Sequence, residues 1–272
     1  MVSLTKSIES LDLVFIDLET TGLNAVTGDS ICEIGALKVN NRKIISKFHK
    51  LINPRRSIPK EAYDIHKISD EDLKNAPYFE NVADELISFF KESILFAYNA
   101  NFDIGFINQH LKRMDYPELD IPAVDILSMA RDMLKLSRYN LKSTADFLNI
   151  DCSGPLHRAS EDALVAYKVF LPILDMLKEK NIENIGDFVS LYGINSNIFQ
   201  SCENKKVCMV KEAISSVKLL KIKHFSSHRL VKEKVTPLRI LQEGRFFYLL
   251  YQDASGNPLR IKLNRVLEIN LS

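Results

Sequence analysis

Asp17 and Glu19 stand two residues apart at the end of the apolar run Leu13-Val14-Phe15-Ile16. Residues two apart in a strand project from one face, so both carboxylates point the same way. Two acids on one face of a buried strand are costly unless a cation or hydrogen-bond donors neutralise them. Asp103 follows a second apolar run, Ile94–Ala97, within Asn99-Ala100-Asn101-Phe102-Asp103, and Asp162 sits at the start of a helical pattern, five residues after His157. Four carboxylates near the ends of regular elements offer the hard oxygen donors that Mg²⁺ prefers. Two such ions about 3.5–4 Å apart can activate a water and stabilise the leaving oxygen of a phosphodiester. A histidine is suited to take the proton of that water, and His157 is the candidate. Taken singly, an acid at a strand end is more often a cap or a solvated turn, and a lone histidine is more often structural. The string Asp17-Leu18-Glu19-Thr20-Thr21-Gly22, with two acids and a turn together, is what sets this constellation apart.

These side chains need elements to hold them. Leu13–Ile16 reads as a buried strand, and 31–39 and 42–52 as two more, joined by a tight turn at Asn40-Asn41. Helical spacing recurs at Val82, Leu86, Ile87, Phe89 and Phe90. After the strand Ile94–Ala97, helices are expected over 102–114, 126–135 and 141–149, and a long one near Ser160, read as its N-cap. Strands and a hairpin followed by alternating strands and helices predict an α/β fold with a mixed sheet over residues 1–180. Residues 181–204, with Asn181, Asn184, Asn195, Asn197 and Asn204, read as a linker carrying one short helix. Beyond it a helix over 209–217 precedes five short strands, at 219–225, 230–241, 245–251, 259–263 and 266–271. Ser226-Ser227, Glu243-Gly244 and 255–258 punctuate them, which suggests a small barrel over 205–272.

Composition excludes a disordered, collagen-like or disulfide-stapled chain: 46% of the 272 residues are hydrophobic and 26% charged. Net charge is +1, but it is unevenly spread. Residues 1–180 hold 22 basic and 27 acidic side chains, and residues 181–272 hold 14 and 8. A basic second part would attract phosphates. Cys32, Cys152, Cys202 and Cys208 have no Cys-x-x-Cys spacing, so neither a zinc knuckle nor a disulfide framework is expected. Lys6, Glu9 and Asp12 argue against a signal peptide. Lys168, Pro172 and Asp175 break the most apolar long segment, so no membrane span and a cytoplasmic setting are expected.

Asp-Leu-Glu-Thr-Thr-Gly-Leu (17–23), Asn-Ala-Asn-Phe-Asp-Ile-Gly-Phe (99–106) and His157-Arg158-Ala159 followed by Asp162 resemble the three motifs of the DEDDh (DnaQ-like) 3′→5′ exonucleases. That family includes the proofreading subunits of bacterial polymerases. Ile65-His66-Lys67-Ile68-Ser69-Asp70-Glu71, Val124-Asp125-Ile126-Leu127 and Ala130-Arg131 resemble its secondary segments. The resemblance covers about residues 11–178 and implies a ribonuclease H-like fold binding two Mg²⁺ or Mn²⁺ ions. By it, Asp17, Glu19 and Asp162 would hold the first metal, Asp17 and Asp103 the second, and His157 would be the general base. Thr20, Thr21, Gly22 and Leu23, with His66, Asn99 and Phe102, would bind the terminal nucleotide of a single strand with a free 3′ end. Tyr98 stands where proofreading subunits often have His, and Lys67 replaces a usual Gly. Asp125 reads as a helix cap rather than a substrate contact.

The last strands carry their own pattern. Alternation puts Arg260, Lys262 and Asn264 on one face, near the aromatics of 246–251. Cations beside exposed aromatics would make a single-strand binding surface. Alternatively Phe246, Tyr248 and Leu250 alternate into a barrel core and the cations only solubilise it, which composition favours. Ala213-Ile214, Lys221-Ile222-Lys223-His224, Thr236-Pro237-Leu238, Phe247-Tyr248-Leu249 and Leu263-Asn264-Arg265-Val266 resemble a WYL domain, an SH3/Sm-like β-barrel. That resemblance implies a small nucleotide or nucleic-acid ligand, with Tyr248, Arg260, Lys262 and Arg265 as candidates. RNA as substrate and a non-catalytic binding protein remain alternatives, and no clamp-binding peptide points to a polymerase partner.

Overall fold

The computed structural model describes residues 4–152, 157–194, 197–226, 228–244 and 246–272; Asn195, Ser227, Arg245 and the side chain of Cys202 lie outside the described residues. The apolar runs become β1 (Asp12–Thr20), β2 (Ile31–Asn40), β3 (Lys43–Leu51), β4 (Ser93–Ala97), β5 (Ala123–Asp125) and β6 (Gly193–Ile194). They form one sheet in the order β3-β2-β1-β4-β5-β6. β1, β2 and β3 are antiparallel, β4 and β5 run parallel to β1, and β6 turns back. The β2–β3 turn holds Asn41 and Arg42 at φ 48° and 61°, the double positive φ that suits a two-residue hairpin. The helices are α1 (Lys60–His66), α2 (Asp70–Leu73), α3 (Phe79–Phe90), α4 (Ala100–Arg113), α5 (Ile126–Met133), α6 (Leu141–Phe147), α7 (Ala159–Lys178), α8 (Ile185–Tyr192) and α9 (Asn197–Ser215).

β1 is buried on both faces, so it reads as a continuous apolar run. Leu13 and Phe15 pack with Phe96 and with Phe170 of α7, while Val14, Ile16 and Leu18 pack toward α3 and α4. This mixed sheet with helices on both faces is the ribonuclease H-like architecture expected from the sequence. The start of α7 differs from expectation. Its N-cap is Arg158, not Ser160, and no cap side chain bonds its first turn. The Glu33 carboxylate of β2 accepts the Ala159 N–H at 3.0 Å instead. α7 approaches β2 closely at Gly35, where a Cβ would lie 2.2 Å from the backbone of Ala159 and Ser160.

Two further expectations need correction. Residues 181–194 are not a linker: Ile182, Ile185, Phe188 and Val189 are fully buried in the core that holds Phe15 and Phe170. Asn184 has the local role its residue type favours, capping α8 through the Asp187 N–H. Helix α9 then begins at Asn197, not at 209. The second correction concerns the barrel. β7 (Leu220–Ser226), β8 (Arg229–Glu243), β9 (Phe246–Gln252), β10 (Pro258–Lys262) and β11 (Val266–Leu271) pair in the order β10-β9-β8-β7-β11. The sheet is open, because its edge strands β10 and β11 do not pair. β8 pairs with β7 over 229–235 and with β9 over 236–243, shifting register at Pro237/Arg239. Val207, Val210 and Ala213 of α9 join the core of this sheet, so an apolar helix face contributes to what closure would otherwise bury.

The sheet is also bolted to the first part of the chain. Phe225 is buried in the Phe15–Phe170 core, and Arg265 pairs with Asp132 of α5 at 2.5 Å. Among the described residues no helix is long and apolar enough to cross a membrane.

Gly35 and Gly105 should respond oppositely to one methyl group. Gly35→Ala forces α7 away from β2 and should lower stability in urea unfolding by about 1–3 kcal/mol. Gly105→Ala, in α4 with no atom within 4 Å of the new Cβ, should raise it by roughly 0.5–1 kcal/mol. Equal effects would mean that α7 does not rest on Gly35 as described.

Candidate functional site

The site lies at the C-terminal end of β1, beside its parallel neighbour β4, the sheet end where α/β proteins usually bind ligands. The β1–β2 register sets Asp17 opposite Gly35 and Glu19 opposite Glu33. A bulge between Glu19 and Thr20 ends the regular pairing and turns the chain into Thr20-Thr21-Gly22. α4 brings in Asp103, 2% exposed, beside the backbone of Leu18. α7 brings in Asp162. Glu19, Asp162 and His157 each offer a ligand atom within 4.8 Å of the others. Asp17 and Asp103 are not in that trio; they are close enough for their charges to oppose each other.

These carboxyls disfavour one another's ionisation. Burial pushes Glu19 up to about 8, helped by the charges of Asp162, Glu33 and Asp103. Burial raises Asp17 well above the usual carboxylate range, with Asp103, Asp162 and Glu19 adding to it. Asp103 and Asp162 are raised as well, again chiefly by burial. Glu33 goes the other way. Burial opposes its charge, but Arg158, the Ala159 N–H and His49 overcome that and hold it below the ordinary range. Arg158 grips Glu33 at 2.7 and 3.1 Å.

This donor set fits a hard divalent cation. Among the described residues the buried Asp162 Oδ1 has no hydrogen-bond partner, and an orphaned carboxylate oxygen among raised acids is what a cation would satisfy. His157 is exposed and held at φ 66°, in the left-handed region. Arg158, Glu33 and Gly35 were not singled out from the sequence. An acid inside the buried strand 31–39 was the available signal.

A cavity of about 440 Å³ opens beside the acids, lined by Thr20, Thr21, Gly22, Leu23, His66 and Phe102, and by Pro59, Ala62 and Ile65 of the α1 region. Leu23 and Ile65 are 86% and 54% exposed, so the mouth is apolar. His66 is buried and backs the wall: its Nδ1 accepts the Ile68 N–H at 3.0 Å. Lys67 caps α1 at φ 58°, a conformation that favours the glycine the family usually has. Asn99 does not line the cavity; it turns the chain into α4 at φ 74°. Asp125 is a cap, accepting from the Asn99, Ala100 and Ser128 amides. Tyr98 bonds the Thr144 hydroxyl at 2.6 Å and so ties β4 to α6.

In the second sheet, Leu249 and Tyr251 fill the core, so Phe246, Tyr248 and Leu250 lie on the outer face with Arg260 and Lys262. The Arg260 guanidinium sits 3.7 Å from the Tyr248 ring centre, and Lys262 Nζ sits 4.3 Å from that of Phe246. Arg265 does not join them; it is held by Asp132 and the Phe225 carbonyl.

Four acids and a histidine gather beside a pocket at the end of β1, on the ribonuclease H-like sheet of a nuclease-type hydrolase. Residues 14–170 match the Exonuclease family (RNase_T), and the chain belongs to it. The domain it carries is that of a 3′→5′ exonuclease, a phosphodiester hydrolase, and such DEDDh enzymes use divalent metal ions. The chain is 40% identical over 171 residues to DNA polymerase III subunit epsilon of Rickettsia conorii, spanning 61% of this chain and 74% of that protein. It is 35% identical over 192 residues to DNA polymerase III PolC-type of Thermotoga petrophila, spanning 70% of this chain and 14% of the relative. The fold also resembles Escherichia coli exonuclease I in complex with single-stranded DNA, with a TM-score of 0.58 at 14% identity over 89% of this chain and 54% of that one.

Acids raised by folding make the metal-free protein less stable as pH rises. Between the ordinary glutamate range and about 8, the folded state holds more protons than the unfolded one, so stability falls across that window. Thermal unfolding in EDTA should therefore show Tm falling with pH, less steeply in Glu19→Gln. Parallel profiles for the two proteins would contradict the crowding of charge at Glu19.

Proposed function

We infer that this chain is a divalent-metal-dependent exonuclease that releases nucleoside 5′-monophosphates from the 3′ end of single-stranded DNA. The observation that carries this reading is the convergence of Asp17, Glu19, Asp103 and Asp162, with His157, beside one cavity. Asp17, Glu19, Asp103 and Asp162 would hold two Mg²⁺ or Mn²⁺ ions. Ions held there would polarise the scissile phosphate and make a bound water more acidic.

The remaining work falls to the protein. The apolar mouth formed by Leu23, Ile65 and Phe102 accepts the terminal base, while the backbone of Thr20–Leu23 faces its sugar. Thr20 Oγ1 donates to the Gly22 carbonyl at 2.6 Å and keeps that turn in shape. His157, exposed at the edge, accepts the proton of the attacking water at an imidazole nitrogen. Glu33 and Arg158 position α7, and hence Asp162, without touching substrate. DNA is chosen over RNA because the relatives at 35–40% identity described above are DNA polymerase III proteins. The stacked pairs Arg260/Tyr248 and Lys262/Phe246 supply a further surface for bases and phosphates of the same strand, consistent with a WYL-like nucleic-acid module.

His157→Ala should lower turnover of a labelled single strand by about 10²–10⁴-fold, while Mn²⁺ binding followed by isothermal titration survives. Loss of Mn²⁺ affinity together with activity would make His157 a ligand, as its place within 4.8 Å of Glu19 and Asp162 allows. Matched DNA and RNA strands, with free and blocked 3′ ends, test the substrate: release from free-ended DNA is expected, and faster digestion of RNA or of blocked ends would overturn the reading.

A further inference from the structure

The outer face of β7 and β8 carries a cationic surface separate from both the acidic centre and the aromatic pairs of β9 and β10. Lys221 stands directly opposite Lys234, and Lys223 directly opposite Lys232. Lys221, Lys232 and Lys234 are exposed. Lys223 is paired with Glu268 of β11 at 2.8 Å, and no ion pair of the other three is found among the described residues. The four side chains line a cavity of about 370 Å³ together with Ile222, Glu233, Glu268 and Asn270. Ile222 and Glu233, between the lysine pairs, direct their side chains inward: Ile222 to the core and Glu233 to His224 and Tyr251, at 2.8 and 3.0 Å.

Like charges directly opposite in an antiparallel pair have Cβ atoms about 4.5–5.5 Å apart and destabilise the sheet. Two such pairs side by side break a local rule of strand pairing, and departures of that kind tend to mark function. A polyanion would relieve them. Residues two apart in a strand are separated by roughly 6.6 Å, a repeat comparable to that of phosphates along an extended nucleic-acid strand. Aromatic side chains are absent from the lining, so the surface offers charge without stacking. We propose that the Lys221, Lys223, Lys232 and Lys234 face of β7 and β8 binds the phosphate backbone of a single-stranded nucleic acid. This rests on the exonuclease reading for the identity of the polyanion; the site itself rests on the register and the cavity.

The test uses the full chain in EDTA, with a fluorescent oligothymidylate much longer than the catalytic cleft as probe. A Lys221→Thr/Lys234→Thr variant keeps strand-forming residues and removes one opposed pair, so its Tm should equal or exceed that of the parent. Its Kd should rise several-fold, and the slope of log affinity against log salt should flatten by about 1.4, roughly 0.7 for each lost phosphate contact. Lys221→Arg/Lys234→Arg should retain binding. Release of mononucleotides from a trinucleotide with Mn²⁺, measured in parallel, should be unchanged in every variant. If the parent releases none, the exonuclease reading fails while the binding arm still reports on the lysines. An unchanged Kd and slope in the folded Thr variant overturns the proposal, as does a parent dimer that the variant dissolves, which would make the face a contact between copies.

Discussion

The carboxylate of Glu33 holds the first turn of α7 against the sheet, and the geometry of the acidic centre follows from that contact. A helix start leaves amide groups unsatisfied and carries partial positive charge. Glu33 accepts one of these amides at 3.0 Å and takes the Arg158 guanidinium as well. Because Glu33 sits opposite Glu19 in the β1–β2 register, the same bonds that seat α7 bring Asp162 next to Glu19. Gly35, one pleat further along the same face, lets the helix backbone come that close. The contact is charge-assisted, with Glu33 1% exposed and its Arg158 partner partly exposed, and charge-assisted bonds of this kind are stronger than neutral ones.

The distribution of donors around the cluster has a chemical consequence. Arg158 and His49 are directed to Glu33, which is therefore charged and satisfied. Among the described residues, Glu19, Asp17 and Asp162 make no ion pair with an arginine or lysine, and burial raises all three. A protein that needed only structural acids here would have placed its arginine among them. Leaving them unneutralised destabilises the metal-free fold and leaves oxygen donors available to a cation. The surrounding fold tolerates this because β1 is packed on both faces, with Phe15, Phe96 and Phe170 in mutual contact just behind the site.

Much of this was legible in the sequence, where short-range patterns decide it. The strand ending in Asp17 and Glu19, the hairpin (at Asn41-Arg42, one residue on from the expected Asn40-Asn41) and the cap at Asp125 each follow from residue types within a few positions. The start of α7 was not legible, because its cap comes from Glu33, far away in the chain. Ser160 has the right residue type for a cap but falls inside the first turn. The supposed linker was misread for a related reason: its asparagines signal turns, but Ile182, Ile185, Phe188 and Val189 bury their side chains in a core that only the assembled sheet creates. Barrel closure was likewise invisible. Five short strands are compatible with an open or a closed sheet, and the choice depends on what covers the concave face, here α9. On the aromatic strand, alternation was sound but its phase was not: Leu249 and Tyr251 fill the core, not Phe246, Tyr248 and Leu250.

The uneven charge of the chain gains a spatial meaning from these contacts. The acids that would hold cations also repel phosphates, and residues 1–180 carry a net excess of acid while 181–272 carry an excess of base. Long-range attraction must then come from the second part, and it is useful only if that part is fixed relative to the first. Phe225 in the shared core and the Arg265–Asp132 pair provide the fixing. Arg265 is committed to that joint, and two further groups of cations lie on faces of different character. Arg260 and Lys262 lie over aromatic rings, where bases can stack. Lys221, Lys223, Lys232 and Lys234 stand on a strand surface without aromatic rings, Lys223 paired with Glu268 and the other three exposed. A single strand contacting both would be held by its bases at one place and by its backbone at another, and sequence-independent binding requires that combination.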